Sequence, residues 1–303
     1  ITQNMPRIGS IDFTGATNTP TFKTSGNTKC YGSFTLISGM VFNITNKEYS
    51  FEGRGDNTVT SNGKQWAYFT INTISGKITL KDDLSSSANT YGINLTSGTL
   101  DVQDTDQNHN ITFGYFMSTG TASRTLLMGN GLWSLTAVGS SPWNVTSSLS
   151  LTCHQSTIKL TGAITTGLAF TGGDRTYYNF WNATTGSYYI RIAGSNTFND
   201  FKIDAGREVR FTAGTNTTVT TFTAEGTDVA PITLTSNTTS AATLTKAGGG
   251  TITVKYCDIS YLTATPADTW LAYTTDGNVD SGNNTGWTFV GGDTRRRAAF
   301  IKF

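Results

Sequence analysis

The densest set of side chains able to do chemistry is Asp101–x–x–Asp104–x–Asp106–x–Asn108–His109. Paired carboxylates beside a histidine can serve as general acid and base, and glycoside cleavage needs two such carboxylates across one groove. The alternate oxygens of Asp104, Asp106 and Asn108 also resemble the start of a calcium loop. The sixth place of such a loop is then His109 instead of Gly, and the twelfth is Tyr115 instead of Glu. The pattern therefore predicts a polar surface loop first, with calcium binding and catalysis behind it. A second acidic turn, Asp276–x–Asn278–x–Asp280, invites the same comparison and reads first as a turn. Arg54-Gly55-Asp56 is the tripeptide that integrin-type receptors recognise, but three residues match easily by chance. His109 and His154 are too isolated for a metal site or triad, so no cofactor and no metal are expected.

Flat rings crowd one stretch, and exposed rings can stack on the apolar faces of sugars. Tyr177 and Phe180 fall on a core register, which leaves Tyr178, Trp181 and Tyr188 as the glycan-binding candidates. The C-terminal Arg295-Arg296-Arg297 to Phe303 run, basic then apolar, is a candidate docking tail.

What must position these residues is a repeat. Tyr177–x–x–Phe180–x–Asn182 returns 21 residues later as Phe198–x–x–Phe201–x–Ile203, and again as Val219–x–x–Phe222–x–Ala224. Each copy is followed by Gly186, Gly206 or Gly226 and a short strand-like run. A period in the twenties carried by β-formers marks a solenoid. A further match, Val254–x–x–Cys257–x–Ile259, places Cys257 on the register of Phe201 and Phe222, after loops at Ser236–Ser240 and Gly248–Gly250. From about Lys77 onward, runs such as Ile78-Thr79-Leu80 and Ile158-Lys159-Leu160 alternate apolar and polar residues. The expected fold is all-β, a right-handed parallel β-helix of about 21 residues per coil with capping elements. An antiparallel β-sandwich, which also has short, evenly spaced strands, is the alternative. The division expected is an irregular N-terminal β region or cap over 1–75, a solenoid over 76–265, and a C-terminal cap and tail over 266–303.

Composition agrees with strands. Of 303 residues, 58 are Thr and 26 Ser, and only 14% are charged, against about 25% in an ordinary soluble domain. Aromatic content of 12% argues against disorder. A net charge of +1 speaks against nucleic acid as a partner. No apolar run reaches the roughly 20 residues of a membrane span. The chain starts at Ile1 without a leader pattern, which excludes nothing. Three scattered cysteines have neither zinc-ligand nor disulfide-framework spacing.

The run Val254-Lys255-Tyr256-Cys257-Asp258-Ile259, then Thr269-Trp270, then Asn278 through Asn283-Asn284-Thr285-Gly286-Trp287-Thr288-Phe289, resembles the C-terminal end of a group of proteins. These are Thr/Gly-rich β-solenoid proteins of bacteriophage virions (tail-fibre, tailspike-like or capsid-decorating chains) and of bacterial surfaces. The likeness extends loosely back to about Lys77. It implies a right-handed β-helix on a virion surface, or extracellular on a bacterial cell. It implies a homo-oligomer, a trimer first, that meets other virion proteins and possible host surface polysaccharide. No shared active-site motif comes with it. The expected function is structural or adhesive and not enzymatic. A polysaccharide-degrading enzyme using Asp101, Asp104 and Asp106 is the runner-up, and a secreted bacterial adhesin is third.

Overall fold

A computed structural model of the protein describes residues 2–3, 7–104 and 107–291. Parallel strands stack as a β-solenoid of about 12 turns, about 22 residues apart. The sandwich alternative fails because strands one turn apart pair in parallel; among the described residues the antiparallel exception is the small hairpin Gln103–Asp104 with Gln107–Asn108. One face is a continuous ladder from Arg7–Ile8 through Trp143–Val145 and Glu208–Phe211 to Val279–Asp280. A second ladder runs from Ile11–Asp12 to Ser150–Thr152. A third face carries Gln65–Trp66 through Leu262–Thr265. Along the first face the turn length varies from 19 residues, Ile192 to Phe211, to 27, Trp143 to Phe170.

The repeat sits where its spacing placed it. Tyr177, Phe198 and Val219 pair in register, as do Phe180, Phe201 and Phe222, and Asn182, Ile203 and Ala224. Two outward residues separate the first two inward positions of each strand, so Thr176–Asn182 and Thr197–Ile203 point both Tyr177 or Phe198 and Phe180 or Phe201 into the core. Stacked rings follow from identical neighbours one turn apart: Phe201 and Phe222 lie 5.5 Å between centroids with planes 12° apart.

The fourth copy stands elsewhere. Phe222 pairs with Ile252 and Ala224 with Val254, while Cys257 pairs with Ile232 on the first face. The reason is that Asn216–Glu225 is matched by two strands instead of one. Ala242–Lys246 covers its first half and Ile252–Lys255 its second, with the glycine loop bulging between them. Cys257 is nonetheless fully buried.

Stacking is already established at Arg7, within residues where sequence shows no alignable repeat. There most inward positions change identity from turn to turn, as Cys30 to Phe51 and Phe34 to Val59, while Phe22 returns as Phe42. Phe22, Phe34, Phe42, Tyr49 and Trp66 fill the interior as a mixed cluster in which most rings meet edge-on and Phe22 stacks on Phe42. At the other end Trp270 packs on Phe222 and Trp287, extending the core by a further turn.

Candidate functional site

On the third face, outward residues of successive turns form columns. Lys159, Trp181 and Lys202 occupy one column because Lys159 pairs with Trp181 and Trp181 with Lys202. Strand spacing of about 4.8 Å brings a long lysine over each side of the indole. The Lys159 ammonium is 3.5 Å and the Lys202 ammonium 4.2 Å from the Trp181 ring centroid. Trp181 Nε1 donates to Asp204 Oδ1 at 2.7 Å, which fixes the ring's orientation. Each cation gains about 0.5–1 kcal/mol from a partly exposed ring. A sugar could therefore stack on Trp181 only by displacing a lysine. Tyr178 is half-buried against the core, and Tyr188 is 48% exposed in the turn that leads to the next face. Tyr178 and Trp181 are outward positions of the same strand, Thr176–Asn182, and Tyr188 lies beyond its end.

Beside that column, Asn179 and Asp200 pair in consecutive turns. Asn179 donates to Thr157 Oγ1 at 3.1 Å, while Asn179 Oδ1 and Asp200 Oδ1 are buried without a hydrogen-bond partner. Burial raises the Asp200 carboxyl above the usual carboxylate range, against an opposing pull from Lys202.

The acidic run from Asp101 to His109 is split. Asp101 is buried, accepts from Gln103 N at 3.0 Å and pairs with Lys77 at 3.5 Å. It lines a cavity of about 350 Å³ together with Asp56, Lys77 and Lys81. Asp104 pairs with Gln107 across the hairpin, and Asp106 lies outside the described residues. Asn108 Oδ1 is committed to Asn130 N at 3.1 Å, and His109 is buried with Nε2 unpartnered. Among the described residues, no group of three or more His, Cys, Asp or Glu gathers as a metal site.

The second acidic turn is a set of stitches between turns. Asn278 points inward, donates to Val254 O at 2.9 Å and Tyr273 O at 3.0 Å, and accepts from Cys257 N at 3.0 Å. Asp280 accepts from Gly282 N and from Asn284 Nδ2, and Asn284 in turn bonds Ile259 O and Leu262 N. The Asn278 amide and Asp280 Oδ1 are thus spent on the chain itself. The Arg54-Gly55-Asp56 tripeptide is exposed at the entry to Asp56–Thr60. The docking-tail residues Arg295, Arg296, Arg297 and Phe303 lie outside the described residues.

Sequence reasoning missed the lysines that close over Trp181. Their signal was present, since the Lys159, Trp181 and Lys202 spacings of 22 and 21 match the coil period. It also missed Arg124, buried with no carboxylate among its hydrogen-bond partners. Its guanidinium bonds Ser118 Oγ, Thr146 Oγ1, Ser148 Oγ and Ala122 O, and desolvation lowers its pKa.

No helix among the described residues is long and apolar enough to cross a membrane. Compared with known proteins, the chain matches no family model, no curated protein and no solved structure.

Proposed function

We propose that the protein is a structural or adhesive component of a bacteriophage particle, displayed on the virion surface and able to engage host surface glycans without cutting them. The observation that carries this reading is the solenoid's outer surface. Polar groups on it are spent on bonds between turns at Lys159–Trp181–Lys202 and at Asn284. Such a surface suits a stiff, hydrated strut. The phage assignment itself rests on the likeness of the Asn284-Thr285-Gly286-Trp287 ending to virion solenoids. Assembly as a symmetric oligomer, a trimer first, belongs to the same proposal.

Immunogold labelling with antibody to this chain tests the placement. Gold on purified virions is the expected result; gold on the bacterial envelope alone would favour the secreted-adhesin reading.

The enzymatic reading keeps one observation in its favour, the cavity where Asp56 and Asp101 meet two lysines. Asp101 is already ion-paired there, which argues for a fixed structural charge.

A further inference from the structure

Among the described residues, the ladder of the third face breaks between Val41–Asn43 and Gln65–Trp66. Beneath the break the core stays closed: the Phe42 and Trp66 rings lie 4.9 Å apart, edge to face. The two strands therefore splay only at the surface, and between them lies a crevice of about 510 Å³. Its floor is apolar, made by half-buried Phe42 with buried Ile44 and Ala67. Its rim is amide and hydroxyl, with Asn43 and Gln65 exposed beside Ser85. No carboxylate lines it, and the one cation, Lys64, donates to Ser38 O at 2.7 Å.

That chemistry selects a ligand. An apolar floor under uncharged donors and acceptors fits a compact, neutral molecule with one hydrocarbon face and several hydroxyls. The volume lies within the range of about 300–1,000 Å³ typical of small-molecule sites. Strand edges of three and two residues are too short to hold an added peptide strand by main-chain bonds. We propose that this crevice is a saccharide site, holding one or two neutral sugar rings of a surface glycan. The inference rests on the adhesive reading above and names where on the molecule that adhesion occurs.

The test immobilises capsular polysaccharide and lipopolysaccharide-derived oligosaccharides on a sensor and compares retention of the full chain with two variants. The paired change Asn43→Ala and Gln65→Ala removes the rim amides, and Val41→Trp fills the mouth from a residue that is 46% exposed. Both changes are at the surface, and thermal melting checks that each variant folds. The expected result is retention weakened by about tenfold or more in both variants, the worth of one or two lost hydrogen bonds or a blocked pocket. Undiminished retention by both folded variants would overturn the crevice while leaving the adhesive reading intact. No retention of the unmodified chain on any of these glycans would overturn both.

Discussion

Asn278 shows what a single residue does in this architecture. Its side chain satisfies three main-chain groups, Cys257 N, Val254 O and Tyr273 O, and is 2% exposed. Asn278→Ala orphans them together, at about 1–3 kcal/mol for a buried unsatisfied group. A loss of about 3 kcal/mol in chemical denaturation is expected. Gly286 is constrained differently. At φ 75° it lies against the preceding turn, where an added Cβ would sit 2.0 Å from Ala264 O. Gly286→Ala is expected to cost more than the roughly 1 kcal/mol of an ordinary positive-φ substitution, read in the same titration. Cysteines give a third check. Burial pushes the Cys153 and Cys257 thiols up to about 12 and raises Cys30 as well. At pH 8 all three remain protonated, so a thiol reagent should react with none in the native protein and with three in denaturant. The Asn284-Thr285-Gly286-Trp287 ending was visible in sequence as a pattern. That Asn278 turns inward was not, because the spacing of oxygens along a chain does not reveal which way each one points.

At the scale of the strand, identical neighbours one turn apart create the ladders. Phe201 is fully buried between Phe180 and Phe222, with centroids at 4.7 and 5.5 Å. Phe201→Ala is expected to cost about 3–5 kcal/mol through lost burial and a residual cavity, measured by denaturant titration. The outward column next to it makes a pH-dependent prediction. Burial raises the Asp200 carboxyl in the fold, so the folded state holds its proton to higher pH than the unfolded state does. Stability contributed at this site therefore increases as pH falls through the folded pKa. Asp200→Asn should melt above the unmodified chain at pH 7, and the gap should close on acidification; a gap that stays constant down to pH 3 would refute the assignment. Ladders over 176–225 were legible because like residues repeat at 21. The position of Cys257 was not, since a coil interrupted by the Gly248–Gly250 loop and matched by two short strands breaks the arithmetic.

At the scale of the whole molecule, about 12 turns at about 4.8 Å each give a rod core on the order of 58 Å long. Each turn is held by its neighbours, so a stack of this kind is stabilised by the sum of its interfaces. The N-terminal turns join that stack through mixed rings such as Phe34, Tyr49 and Trp66, an interior that no residue period announces. Architecture was thus readable wherever packing reused one residue type per position, and hidden wherever different residues filled equal volume. The surface crevice was hidden too, because it arises from two strands failing to pair, and sequence spacing records only the strands. The most direct test of the account is to incubate the purified protein with bacterial surface polysaccharides and follow binding together with the appearance of new reducing or unsaturated ends. Binding with no new ends is the predicted result. Steady release of new ends, abolished by Asp101→Asn, would contradict it and make the protein an enzyme.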